Sequence, residues 1–322
     1  MNPWLLLLLG LAAIALALAV PRWRLKRALM QPFPDAWREV LRRNSAFYGR
    51  LPEDLRERLH RRILRFLHEK HFEGAGGLEI DDEIRVTIAA EACLLTLNQG
   101  SLVFPRLRWI IVYPTTFIVD DEAWVEEDGV VEKGPRDLLG ESWHNGRVIL
   151  AWDSVLHGAR SMTDGENVVL HEFAHQLDSE TGATDGAPLL GSAPALRGWA
   201  EVLSEEFLRL REDRMWGRRG LLDEYGATNP AEFFAVATET FFERPREMAR
   251  HHRELFDLLA AYYRLDPREW GEDAERDRAV SHAHSGYTAA RPTRQGQAGR
   301  RHTPLEENRL ETAAEKEPPG KP

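Results

Sequence analysis

From Trp4 to Val20 the chain reads WLLLLLGLAAIALALAV, 17 positions without a charge. At about 1.5 Å rise per residue a helix of that length spans roughly 26 Å, at the short end for a membrane crossing. No polar face interrupts the run, which argues against the buried helix of a soluble core. Arg22, Arg24, Lys26 and Arg27 follow at once, with Trp23 among them. Ala17-Leu18-Ala19 has the small-residue pattern of a signal-peptide cleavage site. The stretch ahead of it, however, carries no Lys or Arg, and the positive charge crowds the other side. That asymmetry belongs to an uncleaved anchor. Residues 4–20 are therefore expected to be a transmembrane anchor and residues 21–35 a basic juxtamembrane linker. Positive charge tends to stay in the cytoplasm, so the domain that follows is expected on that side, with only Met1 to Pro3 across.

Beyond the linker the periodicities change. Leu51 to His68 sets Leu and Ile at helical spacing among basic residues, which predicts an amphipathic helix with a basic face. Ile84 to Leu97 (IRVTIAAEACLLTL) is almost wholly apolar and small, the pattern of a buried helix. Trp109–Val112, Thr116–Val119 and Gly146–Trp152 read as short strands, the first two flanking Tyr113-Pro114. From Asn167 onward the pattern is mostly helical. A small sheet with predominant helices is an α+β fold. After Trp270 no Trp or Phe remains and acidic and basic residues balance, so residues 271–322 are expected to be a disordered polar tail. The folded domain is expected over residues 36–270. His282-Ala283-His284 lies in the tail and reads as incidental.

Composition sharpens this picture in three ways. With 322 residues, 43% hydrophobic, and 10 Trp and 13 Phe among them, the chain can fill a sizeable core. Its single cysteine, Cys93, excludes a disulfide framework and any Cys-rich metal site, and within its apolar helix reads as a small core residue. A net charge of −10 excludes a general nucleic-acid binder, which needs a basic face for phosphates.

The chemistry concentrates at His171-Glu172-Phe173-Ala174-His175. On a helix, positions i and i+4 share a face, so two imidazoles can grip one zinc ion. Glu172 between them is placed to act as general base on a metal-bound water. Thr163-Asp164-Gly165-Glu166 predicts a capping box at the start of this helix, and Gly182 a stop after it. Two solvent-facing histidines on an ordinary surface helix would match the same spacing, but the helix is apolar rather than charged. A catalytic zinc needs a third protein ligand, and the best candidate is Glu232 in YGATNPAEFFA. Asn229 can cap that helix and Pro230 suits its first position. From pattern alone Glu232 fits two roles equally, metal ligand or closing residue of a capping box. Asp178, three residues after His175, fits either a partner orienting an imidazole or a cap on the helix end. His68-Glu69-Lys70-His71 has the wrong spacing for a metal grip and reads as a solvated helix end. His251-His252, in a charged stretch, reads as exposed, and Tyr113-Pro114 as a turn or a cleft wall.

The segments IRVTIAAEACLLTLNQG, WIIVYPTTF, GESWHNGRVILAWDSVLHG, DGENVVLHEFAHQLD, ATDGAP, YGATNPAEFFAVATETFFERP and YYRLDP carry a resemblance. Over about Glu83 to Pro267 the chain closely resembles the glucose-regulated zinc metallopeptidases typified by the Mlc titration factor A proteins. HEFAH with the later YGATNPAEFFA is also similar to the metalloprotease domain of lethal-factor-type toxins. The resemblance implies a zincin-like metallopeptidase domain acting on a peptide or protein substrate. It implies one zinc per chain held by His171, His175 and Glu232, with Glu172 as base and Tyr225 helping to stabilise the transition state. It also implies an alternative role, a regulatory protein that sequesters a transcriptional repressor of sugar uptake. Glu172 discriminates, because a pure binder gains nothing from a general base between two ligands. The anchor and the tail depart from the typical family member, which looks like a soluble cytoplasmic protein.

Overall fold

The structure, a computed structural model, describes residues 3–100, 103–115, 117–119, 136–138, 140–143 and 146–271. The expected tail, with His282 and His284, lies outside the described residues. Helix α1, Pro3–Leu29, runs straight through the apolar stretch and on past Pro21, so Arg22 to Arg27 belong to the same helix. It is long and apolar enough to cross a membrane, and none of its most apolar window is buried.

Helix α2 is Asp35–Asn44 and α3 is Glu53–Glu69, with Glu53 and Asp54 in its first turn, where acidic groups favour the helix dipole. Leu59, Ile63, Phe66 and Leu67 form the inner stripe of α3, Arg58 and Arg61 are exposed, and the half-buried Arg62 donates to the carbonyls of Leu97, Gln99 and Gly100. The expected solvated helix end holds for the exposed His68 in the last turn of α3, and is corrected beyond it. The helix stops at Glu69, Lys70 is buried, and His71 opens strand β1, His71–Gly74. The Lys70 Nζ donates to the carbonyls of Phe104 (2.6 Å) and Leu107 (3.0 Å). Phe104 sits at φ 47°, in a turn that leaves those carbonyls facing inward, and the ammonium satisfies them. Burial pushes that ammonium down to about 8.

Helix α4, Asp82–Leu95, is capped by Asp81, whose side chain accepts the Ile84 N–H at 2.9 Å. From Ile84 to Leu95 every residue but Arg85 is buried, Cys93 included, as the apolar pattern predicts. Strands β2 (Trp109–Tyr113), β3 (Phe117–Val119), β4 (Arg136–Leu138), β5 (Gly140–Trp143) and β6 (Arg147–Ala151) follow. One sheet has the order β1-β2-β6-β5, its first three strands parallel and β5 antiparallel at the edge, while β3 and β4 pair separately. Helix α4 lies in the connection between the parallel β1 and β2, the crossover such a pair requires. Ile110, Val112, Val148 and Leu150 turn inward at period two.

The rest is helical: α5 (Trp152–Arg160), α6 (Val168–Asp178), α7 (Ala193–Met215), α8 (Pro230–Glu243), α9 (Pro245–His251) and α10 (Arg253–Tyr263). Helix α6 packs on α4 and α8. Phe173 of α6 meets Phe66 and Phe104 on one side of the core, while Phe241 and Phe242 of α8 meet Phe256, Tyr263 and Trp270 on the other. The architecture is mostly helical with a small sheet. One further expectation is corrected: His251 is exposed, but His252 is half-buried and pairs its Nδ1 with Glu206 Oε2 at 2.8 Å. The charged stretch folds that ring under α7, where the buried Glu206 needs a partner.

Candidate metal centre

The helix that carries HEFAH does not start where the capping box was expected. Asn167 is its cap, with Oδ1 accepting the N–H groups of Val169 and Leu170, both at 3.1 Å. Thr163–Glu166 is a bend instead. Gly165 lies at φ 83°, a region where glycine carries no steric cost, and its N–H donates to Glu243 Oε2 at 2.8 Å. Val169, Leu170, Phe173 and Leu177 form the apolar buried face of α6, and Glu172, Ala174, Gln176 and Asp178 are buried beside it. His171 and His175 stand half-buried on the remaining face, as the i, i+4 spacing predicts. After Asp178 a short 3-10 turn, Ser179–Thr181, ends at Gly182 with φ 97°.

Helix α8 starts as its sequence predicts. The Asn229 side chain accepts the Glu232 N–H at 3.0 Å and Pro230 takes the first position. The Glu232 carboxylate turns toward α6: its Oε2 lies 3.0 Å from His171 Nε2 and 3.3 Å from His175 Nε2. The two Nε2 atoms are 3.2 Å apart. All three donor atoms therefore fall within 4.8 Å of one another, a group that can hold a metal ion. Burial disfavours an imidazolium at His171, but the Glu232 and Glu239 carboxylates outweigh it and hold the ring well above its ordinary range. Burial likewise opposes ionisation of Glu232, and the two imidazoles overcome it and pull the carboxyl down to about 2. A negative oxygen and two ring nitrogens converging on one point are the donor set of a divalent cation.

Tyr225 sits in the 3-10 turn Glu224–Ala227, its backbone N–H held by Asp223 Oδ1 at 2.7 Å. Its exposed ring lies 6.0 Å from that of His171, centre to centre. Asp178 is fully buried, and neither expected role is the one it plays. Its Oδ2 accepts the Gly186 N–H at 2.8 Å, tying down the loop after α6. Gly186 is itself required, being at φ 79° with the Pro230 carbonyl where a Cβ would stand. The carboxylate that meets the outer nitrogen of a candidate ligand ring, Nδ1 of His171, is Glu239, which no motif in the sequence marks. Its Oε1 is 2.8 Å from His171 Nδ1, and its Oε2 accepts the Asn167 N–H at 2.6 Å. The available signal is spacing: seven residues after Glu232 is two helical turns, so both carboxylates lie on one face of a helix rich in Phe and Ala.

Two more carboxyls are buried behind this centre. Burial pushes Glu91, which accepts from Asn167 Nδ2 at 3.2 Å, up to about 8. Burial, helped by the charges of Glu239 and Asp164, pushes Glu243 up to about 9. Both are neutral at pH 7 in the folded chain, whereas unfolded they ionise near 4.5. The folded state thus holds more protons between those limits, so their contribution to stability falls as pH rises from about 5 to about 9. Urea midpoints at pH 5.5 and 8.5 are expected to show this, and Glu243→Gln, which mimics the neutral acid, should flatten the decline.

Residues 20–264 match the model of the family described as glucose-regulated metallo-peptidase M90. The protein slr2042 of Synechocystis sp. is 40% identical over 247 residues, 76% of this chain and 89% of the relative. A protein of Klebsiella pneumoniae subsp. pneumoniae named Mlc titration factor A is 33% identical over 225 residues, 68% of this chain and 83% of that one. A protein of the same name from Cronobacter sakazakii is 31% identical over 220 residues, covering 67% and 82%. The matched segment runs from the end of α1 through α10 and contains every side chain of the centre. On these matches the chain belongs to the glucose-regulated metallo-peptidase M90 family.

Proposed function

We propose that the chain is a zinc-dependent peptidase whose metal is held by His171, His175 and Glu232. The observation that carries this is the triangle of donor atoms, with edges of 3.0, 3.2 and 3.3 Å. A tetrahedral zinc with bonds of ~2.0–2.1 Å has donor–donor edges of about 3.3 Å, close to the spacing of these three donors. A HEFAH helix packed on a helix carrying the third ligand, a carboxylate, beside a small sheet with an antiparallel edge, also supports a zincin-like fold.

Zinc, when bound, supplies a Lewis acid that polarises the scissile carbonyl and makes a water acidic enough to lose its proton near pH 7. The chain does the rest. Glu172, buried in α6 next to His171 in the chain, takes that proton and passes it to the leaving amine. Tyr225, exposed beside His171, donates a hydrogen bond to the oxygen on which negative charge develops. The edge strand β5, packed against α6, offers its backbone to an extended peptide, which would enter as an added strand. The test is cleavage of a peptide library by the full chain. Hydrolysis abolished by a chelator and restored by zinc is expected, and hydrolysis indifferent to the chelator overturns the proposal.

A second role, binding and sequestering a transcriptional repressor, is favoured by the name Mlc titration factor A carried by several relatives. Glu172 favours the enzyme, and the two roles are compatible. The acidic balance gives no support to nucleic-acid binding.

The proposed arrangement is an anchor over 4–20, a basic segment over 21–35, the peptidase domain over 36–270 and a polar tail over 271–322. The charge asymmetry around α1 supports a domain facing the cytoplasm, the alternative being a soluble cytoplasmic protein. A reporter fused after Pro322 that works only in the cytoplasm is expected to be active, with the protein in the membrane fraction. Activity of an export-dependent reporter, or a mature chain beginning near Val20, would overturn the topology.

A further inference from the structure

We infer that Glu239 is a positioning residue for the metal centre, holding the His171 imidazole in the orientation and tautomer that turn Nε2 toward the other two donors. This rests on the proposal that His171, His175 and Glu232 bind zinc.

The geometry is specific. The Glu239 carboxylate is buried in α8 and spends both oxygens on α6: Oε1 on His171 Nδ1 at 2.8 Å and Oε2 on the Asn167 N–H at 2.6 Å. An acceptor at Nδ1 keeps the ring proton there and leaves the Nε2 lone pair for a cation. The second contact stops the carboxylate from turning away, because Asn167 is the fixed cap of the helix that carries His171. Asn167 is pinned in turn, its Oδ1 by Val169 and Leu170 and its Nδ2 by Glu91 at 3.2 Å. One side chain therefore ties the ring angle of a metal ligand to the frame of α4, α6 and α8. Burying a carboxylate is unfavourable unless it gains such partners, and an apolar residue would have packed among the phenylalanines of α8 without that cost.

Glutamine is not a silent replacement here. If its Oε1 faces His171, its amide N–H₂ faces the Asn167 N–H, donor against donor. If it flips, its N–H₂ donates to Nδ1 and drives the ring proton to Nε2, where the cation belongs. Glu243, one turn further along α8, provides the contrast. It is equally buried and also accepts a backbone N–H, that of Gly165, but touches no imidazole.

The experiment is competition of the zinc-loaded full chain against a chelator of known affinity, for the parent, Glu239→Gln, Glu239→Ala, Glu239→Asp and Glu243→Gln. Glu239→Gln and Glu239→Ala are expected to bind zinc about 10–100-fold more weakly. Glu239→Asp, with the carboxylate one methylene short, should fall between them and the parent, and Glu243→Gln should match the parent. Nitrogen-15 spectra should show a slowly exchanging Nδ1 proton on one ligand ring in the zinc-loaded parent and its loss in Glu239→Ala. Should Glu239→Ala not fold, the Gln and Asp variants decide. Folded Glu239 variants with zinc affinity within about twofold of the parent would overturn the inference, leaving Glu239 as a tie between helices. If His171→Ala also binds zinc like the parent, it is the metal site itself that fails, a different and separable result.

Discussion

Glu172→Gln is expected to lower peptide hydrolysis by about 10²-fold or more while leaving one zinc per chain. The substitution keeps the shape of the side chain and removes its ability to take a proton. A factor of 10² corresponds to about 2.7 kcal/mol of lost transition-state stabilisation. The metal should stay because Glu172 is not in the donor triangle, which is closed by His171, His175 and Glu232. The fold should stay because Glu172 is buried and glutamine has the same size and shape. The loss should fall on kcat, since proton transfer belongs to the reaction and not to substrate binding. Elemental analysis gives the zinc content, and cleavage of a single model peptide gives kcat and KM. Undiminished cleavage by the zinc-loaded variant would remove the general base from the mechanism and move weight to the repressor-binding role.

The sequence announced what is local. The i, i+4 histidines, the apolar α4, the Asn229-Pro230 start of α8 and strands β2 and β6 all follow from periodicities within one element. Strand β1 did not announce itself, because His71–Gly74 has four residues and a polar composition and exists through its pairing with β2. The cap of α6 lies beyond the capping-box residues for a similar reason. Thr163–Glu166 has the residues of a capping box, but Gly165 is drawn to Glu243 of α8, and the helix starts at the next available cap, Asn167. Lys70 looked like a solvated lysine because its carbonyl partners come from a turn at Phe104 and Leu107. Long-range contacts of this kind decide the surroundings of a site. The pairing of His171 with Glu239 joins residues 68 apart in the chain, and no spacing rule names one as the partner of the other.

Glu232→Ala is expected to remove stoichiometric zinc, and with it all chelator-sensitive hydrolysis, from a chain that still folds. Two readings of Glu232 are equal on its sequence, metal ligand and capping residue, and they differ in what the substitution costs. A capping role would appear as a loss of ~1 kcal/mol in helix stability with the metal untouched. The geometry assigns the capping contact to Asn229, whose side chain accepts the Glu232 N–H, and sends the Glu232 carboxylate to the two imidazoles. Asn229→Ala should therefore cost stability of that order and keep zinc, whereas Glu232→Ala should lose zinc at little cost in stability. In the absence of metal Glu232→Ala also relieves His171 of one of its two carboxylate partners, so its imidazole should titrate at lower pH than in the metal-free parent. His171→Ala and His175→Ala should match Glu232→Ala in zinc content, because two donors alone do not hold the ion through dialysis. Full zinc occupancy in Glu232→Ala would return the residue to its capping role and place the third ligand elsewhere.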